Sequence, residues 1–249
     1  MAVSIKSEPE IALMRQAGRI VAAVLTTLVG AVKPGLKTKE LDIIAEREVK
    51  RQGGIASFKG YRGYPASVCV SINDEIVHGI PGDRVIQAGD VVSLDFGAIY
   101  QGYQGDAART VCAGAVSLKA EALIQATEGA FRAGLAMARN GNRLGDISAA
   151  IQKYAEARGF ALVREYTGHG IGQQMHEDPA IPNFGVAGTG IVLQKGMTLA
   201  IEPMLNTGDW RTRVGSNGWT VSTVDGGLSA HFENTLLITG GDAEILTAV

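Results

Sequence analysis

The sequence predicts an α/β (more closely α+β) protein built as two similar halves, each of two helices followed by strands. Three observations predict it. "KPGLKTKELDIIAEREVKRQGG" (33–54) resembles "RNGNRLGDISAAIQKYAEARGF" (139–160) at an offset of 106 residues. Downstream, "AGDVVSLDFG" resembles "KGMTLAIEPM", with Gly89 and Gly196 each six residues before an acid, Asp95 and Glu202. In both halves the apolar spacing turns from helical to β-like along the chain. Two matches at nearly constant offset point to duplication. Two such halves would pack about a pseudo-twofold axis, with matching acids facing each other near it.

The elements follow in order. Pro9 to Val32 is long and apolar-periodic, with Ser7 and Glu10 spaced as a capping box. In the next segment Leu41, Ile44, Ala45 and Val49 keep helical spacing, and Gly53-Gly54 supplies a stop. "SLDFGAIYQGYQGDAA" (93–108) reads as a hairpin with a turn rich in Gly and Tyr. A turn centred between Tyr100 and Gln101 would set Asp95 directly opposite Asp106. The second half repeats the pattern from Lys119 to Ala138 and from Arg139 to Phe160, with Ile147, Ile151 and Ala155 matching Leu41, Ala45 and Val49.

Composition excludes several classes. The 249 residues are 46% hydrophobic, enough for one large core. A net charge of −2 argues against a general nucleic-acid or membrane-surface binder. Two distant cysteines, Cys69 and Cys112, make no disulfide framework. "MAVSIKSEPE" has no apolar signal core, and Arg15, Gln16 and Arg19 interrupt the first apolar segment, so a cytoplasmic chain is expected.

The chemistry lies in the acids and histidines. Asp95 and Asp106 on facing strands would repel unless a cation lay between them. Glu202 in "TLAIEPM" and Glu233 in "AHFENTLLI" sit beside strongly apolar runs, where a lone acid needs a partner. "YTGHGIGQQMHEDP" (166–179) carries His169 and His176 seven residues apart among glycines, unlike the four-residue spacing of a helical zinc motif. If Asp95, Asp106, His169, Glu202 and Glu233 converge, they form a hard, mostly oxygen ligand set without cysteine. That set favours two ions such as Mn, Fe or Co over a closed structural zinc site. Two bridged metals imply hydrolysis.

These motifs, with "GYPASVCVSINDEIVHGIP" and "DGGLSAHFENTLLIT", resemble in order those of the type I methionine aminopeptidases, bacterial short form. The resemblance spans essentially the whole chain. It implies a single pita-bread domain over 1–249, with halves of roughly 9–115 and 116–240 and a curved antiparallel sheet flanked by helices. It implies that Asp95 chelates one metal, that Asp106 and Glu233 bridge both, and that His169 and Glu202 hold the second. Glu202 would shuttle the proton. His78 would hydrogen-bond substrate near the scissile amide, and His176 would contact the scissile carbonyl. His231, two residues before Glu233 and so on the same strand face, stands where the family often has another polar residue, and reads equally as a residue supporting the ligands or as incidental.

The methionine pocket implied by the resemblance is lined by Tyr61, Tyr64, Cys69 and Trp219, with Phe58 beside them. Phe58 and Met175 depart from some relatives, which carry cysteine and an aromatic there. Asn73, Glu75 and Ser229 fall on a backbone-carbonyl site for a monovalent cation, Na or K. The metals would be Mn, Fe, Co or similar, with Zn also admissible. The partner implied is a nascent polypeptide N-terminus, with the ribosome nearby, no membrane or specific nucleic acid, and a monomer. The rivals are an X-Pro aminopeptidase or prolidase and a non-catalytic binding module of the same fold.

Overall fold

A computed structural model describes residues 3–248, so the extreme ends of the expected 1–249 domain lie outside the described residues. Helices α1 (Glu8–Ala31) and α2 (Thr38–Arg51) open the chain. Strands β1 (Ile55–Ala56), β2 (Cys69–Ile72), β3 (Glu75–Val77), β4 (Asp90–Tyr100) and β5 (Tyr103–Ala113) follow. Helices α3 (Leu118–Met137) and α4 (Leu144–Glu156) begin the second set. After them come β6 (Ala161–Leu162), β7 (Gly168–Gly170), β8 (Glu177–Ile181), β9 (Thr198–Ile201) and β10 (Met204–Asn206). The last strands are β11 (Thr212–Val214), β12 (Val221–Thr223), β13 (Ser229–His231), β14 (Glu233–Leu237) and β15 (Glu244–Ile245). Each of the four helices falls where the apolar spacing predicts it.

The helices form for local reasons that recur. The Ser7 N–H donates to Glu10 Oε2 at 2.7 Å, and Pro9 and two acids occupy the first turn of α1. At α2 the Lys37 N–H donates to Glu40 Oε2 at 2.8 Å, and at α4 the Arg143 N–H donates to Asp146 Oδ2 at 2.8 Å. The likeness reaches the loops before these helices. Gly35 (φ 90°) donates its N–H to Ile86 O, and Gly141 (φ 92°) donates to Leu193 O. Lys37 bridges Val85 as Arg143 bridges Val192. The matched residues Leu41, Ala45 and Val49 are buried, as are Ile147, Ile151 and Ala155. Each half has its own apolar cluster, one from Ile20 to Ala113 and one from Leu123 to Ile238.

The main sheet has nine strands, all paired antiparallel, in the order β1-β4-β5-β14-β9-β7-β8, with β2 beside β4 and β15 beside β14. Two three-stranded sheets, β13-β10-β6 and β11-β12-β3, complete the fold. The seam between the two halves is the β5/β14 pair, where Ala108 faces Glu233 and Ala107 faces Asn234. By length and composition α1 could cross a membrane. Here it is a core helix: Met14, Val21, Val24 and Leu28 are fully buried, and α1 packs on β4 and β5. Gly105 of β5 permits that approach, since a Cβ there would lie 3.0 Å from the Gly18 nitrogen.

One expectation is corrected. Tyr100 pairs with Tyr103, so the hairpin turn is Gln101-Gly102, and Asp95 faces Ala108 while Asp106 faces Gly97. Both turn residues have positive φ, 46° and 84°, as a type I′ turn requires, and glycine favours the second position. The register moves by two residues, so Asp95 and Asp106 stay on one face as diagonal neighbours.

The glycines around His169 are a second close approach. A Cβ at Gly170 would collide with the Asp178 carbonyl oxygen, and one at Gly168 would lie 2.5 Å from the Ala200 carbonyl oxygen. Gly170→Ala is therefore expected to destabilise the chain by about 1–3 kcal/mol. Urea unfolding checks this, and an unchanged midpoint contradicts it.

Candidate active site

The five acids and histidines expected as ligands come together at the floor of one cavity of about 330 Å³. Asp95 comes from β4, Asp106 from β5 and Glu233 from the start of β14, while Glu202 follows β9 and His169 sits in β7, paired to Ala200 of β9. Ligand atoms of Asp106, His169 and Glu233 lie within 4.8 Å of one another, as do those of Asp95, His231 and Glu233. Glu202 Oε1 is 3.6 Å from His169 Nε2.

Supporting contacts hold this floor. Thr235 Oγ1 accepts from the Asp106 N–H at 3.0 Å and donates to the Asp106 carbonyl at 2.9 Å. Arg109 donates to the Glu233 carbonyl at 2.6 Å and to Asn234 Oδ1 at 2.8 Å, and its guanidinium lies 4.3 Å from the centre of the Phe232 ring. Its hydrogen bonds thus go to backbone and amide oxygens, and its charge only partly offsets the burial of Glu233.

Electrostatics show what is missing from a protein-only site. Burial pushes the Asp95 carboxyl up to about 7. Burial and then the charge of Asp95 push Asp106 up; burial and then Asp106 do the same to Glu233; burial and then Asp95 raise Glu202. Asp95 Oδ1, Asp106 Oδ1 and Glu233 Oε1 are buried without a hydrogen-bond partner among the described residues. Such acceptors are rare in folded proteins unless an ion or water satisfies them. Burial lowers His169 to about 4, so its ring is neutral. Its Nδ1 is 2.9 Å from the Gly170 carbonyl, which fits an Nδ1–H donor and leaves the Nε2 lone pair facing Glu202. Unpaired carboxylate oxygens and a free imidazole lone pair are the donor set that divalent cations take.

The other expected residues line the same cavity. Tyr61, Tyr64, Cys69, Trp219 and Phe58 form its walls, with His78 and His176 among them. Tyr64 holds its place by donating to the Gly79 carbonyl at 2.9 Å, and packs edge-on against Trp219 with centroids 5.2 Å apart. Phe58 and Met175 sit over Gly97 of β4, where a Cβ would lie 3.0 and 2.8 Å from their side chains. Burial raises the Cys69 thiol, so it serves as an apolar wall rather than a nucleophile. His78 has φ 60° and lies edge-on to Tyr166, 5.8 Å between centroids. His176 stacks on Tyr61 at 5.5 Å, lies 4.3 Å from the His169 ring, and is lowered to about 3, first by burial.

Asn73, Glu75 and Ser229 lie away from the cavity lining. There the Ser229 N–H donates to the Asn73 carbonyl at 2.8 Å, and Glu75 Oε2 accepts from the Ile72 N–H at 2.8 Å.

Sequence reasoning passed over Arg62, Val77, Glu165, Tyr166 and Thr167, which also line the cavity. Tyr166 and Thr167 directly precede Gly168, so their nearness to His169 was a usable signal. Arg62 sits in a short 3-10 turn, Tyr61–Gly63, and Glu165 in a bend, placements that no motif announces.

The model of Metallopeptidase family M24 matches residues 12–240. The chain belongs to that family. A methionine aminopeptidase of Clostridium acetobutylicum is 52% identical to this M24 chain, with 98% of each covered. Methionine aminopeptidase 1 of Bacillus subtilis is 51% identical, again with 98% of each covered. The crystal structure of a methionine aminopeptidase from Thermotoga maritima superposes with a TM-score of 0.98 at 45% identity, covering 100% of both chains. The pita-bread fold expected from the sequence holds. Membership of M24 implies use of divalent metal, and the acid cluster is where this M24 chain has room and ligands for it.

The Tyr61 hydroxyl lies 2.9 Å from His176 Nδ1. Tyr61→Phe removes that bond, whose net worth is about 0.5–1.5 kcal/mol. A roughly 2–10-fold fall in peptide kcat is expected, and steady-state assays that show no change would refute a role for this contact.

Proposed function

We propose that this chain is a cytoplasmic methionyl aminopeptidase, which removes the N-terminal methionine of nascent chains when the next residue is small. One observation carries the reading: five metal-type ligands and two neutral histidines converge at one end of a cavity walled by Phe58, Tyr64, Cys69, Met175 and Trp219. The relatives named methionine aminopeptidase support it. Residues 1–249 act in this reading as one metallopeptidase domain.

Asp95, Asp106 and Glu233 would hold a metal pair, with His169 and Glu202 completing it. Bound there, two divalent ions such as Mn, Fe, Co or Zn lower the pKa of water toward ~7 and polarise a carbonyl. The protein's own groups do the rest. Glu202 lies at the edge of the acid cluster and takes the proton released by the attacking water, then returns it to the leaving amine. The Tyr61 hydroxyl pairs with His176 Nδ1 at 2.9 Å; in the tautomer in which Nδ1 accepts, Nε2–H is left to donate to the scissile carbonyl and its developing negative charge. His78, neutral through burial, serves the scissile amide. The substrate's free amine meets the acids at the floor, which restricts cleavage to N-termini. Phe58, Tyr64, Cys69, Met175 and Trp219 together enclose the unbranched thioether.

A monovalent cation, Na or K, is assigned to the carbonyls of Asn73, Glu75 and Ser229, where two segments already meet through one hydrogen bond. The ribosome is a natural meeting place with substrate.

Turnover of a Met-X-Ser peptide series tests the reading. Rates should be highest for Gly, Ala and Ser at X and fall steeply for larger residues, while Leu or Val in place of Met should cost about 10–200-fold. Cleavage of X-Pro peptides alone would assign the chain to the prolidase-like branch instead.

A further inference from the structure

His231 ends β13 and is 1% exposed. Its backbone is fixed on both sides by Thr110: the His231 N–H donates to Thr110 Oγ1 at 2.9 Å, and Thr110 Oγ1 donates to the His231 carbonyl at 2.8 Å. The ring is treated differently. Neither Nδ1 nor Nε2 has a hydrogen-bond partner among the described residues. A buried imidazole with both nitrogens unmatched is a costly arrangement unless something else satisfies it.

The surroundings say what that is. His231 Nε2 lies 3.6 Å from Glu202 Oε2 and 3.7 Å from Glu233 Oε2. These separations are too long for hydrogen bonds. They match the spacing of a ligand pair already described, His169 Nε2 to Glu202 Oε1 at 3.6 Å. Glu202 is thus flanked by two imidazoles, one on each oxygen. The acids divide in the same way. Asp106, His169 and Glu233 form one compact triad, and Asp95, His231 and Glu233 form another, sharing Glu233.

We infer that His231 is a further metal ligand, binding through Nε2 the cation held by Asp95 and Glu233, so that each metal position carries one imidazole. This rests on the two-metal reading above. Its consequence is chemical. An all-oxygen position suits Mn or Mg, while an added imidazole shifts preference toward Fe, Co, Ni and Zn. The position served by Asp95 therefore favours the same borderline metals as the one served by His169.

The test is Co(II) titration of the chelated full-length chain by calorimetry and visible absorption, for wild type and His231→Gln. Wild type should take two equivalents. The variant should bind one equivalent at least 10-fold more weakly, a loss no smaller than that seen when a ligand's outer partner is removed, and the other within about 3-fold. Two unchanged affinities overturn the inference, and equal weakening of both overturns it in favour of an indirect effect through Glu202. A second measurement needs no variant. Proton spectra of the dicobalt wild-type chain should show two exchangeable, metal-shifted imidazole N–H signals, from His169 and His231; one signal overturns the inference even if the variant does not fold. Wild type that never takes two equivalents removes the two-metal reading itself.

Discussion

Exhaustive chelation is expected to abolish peptide hydrolysis and to lower the melting temperature, and added Mn, Fe or Co to restore both. Four carboxylates share the cavity floor, and three of their buried oxygens have no hydrogen-bond partner among the described residues. Among the described residues no Lys or Arg side chain hydrogen-bonds to a carboxylate there, and Arg109 donates to backbone and amide oxygens. An ion that binds only the folded chain, at 100 times its dissociation constant, adds about 2.7 kcal/mol. For a chain of this size that corresponds to a fall of roughly 5–10 °C on its removal.

The chelated chain should also respond to pH in a set direction. Asp95 has its folded pKa raised to about 7, well above that of an unfolded aspartate. A raised folded pKa gives stability that is full at low pH and is lost as pH rises through the folded value. The melting point of the chelated chain should therefore fall progressively from about pH 4 to about pH 7 and level off above that, and metal should suppress the drop. Hydrolysis that persists after chelation would end the metal mechanism.

Glu202→Gln is expected to reduce kcat by about 10²–10⁴-fold, the range for losing a positioned general base, with a much smaller change in KM. Glutamine keeps the shape between His169 and His231 but cannot accept a proton. The measurement is steady-state turnover of Met-Ala-Ser, with metal content assayed on the same sample. A kcat within twofold of wild type, at full metal content, would remove Glu202 from the proton path.

Much of this was legible in the sequence because the signals were local or repeated. The helices could be read from apolar spacing, and the Lys37/Glu40 and Arg143/Asp146 caps lie at the repeat's own offset. Acids such as Glu202 stood out because a charge beside an apolar run needs a reason. The hairpin register is not legible from a turn centred on Tyr100-Gln101; the positive φ of Gln101 and Gly102 shows that the type I′ rule decides it. His231 was ambiguous for a different reason. Its meaning depends on where Glu202 arrives from β9, a relation between distant segments that no spacing encodes. The places of Arg62, in a short 3-10 turn, and of Glu165, in a bend, are set in the same way.

The seam at β5/β14 bears on how the chain is made. The expected ligands are split across it: Asp95 and Asp106 precede it, while His169, Glu202 and Glu233 come later in synthesis. On the proposed ligand set, a half-made chain would carry only Asp95 and Asp106 of the five, and Glu233 would be the last to emerge. Under that proposal metal capture would wait until both halves exist, and completion of the fold would arm the hydrolytic centre. A fragment ending before β14 should accordingly bind no metal pair.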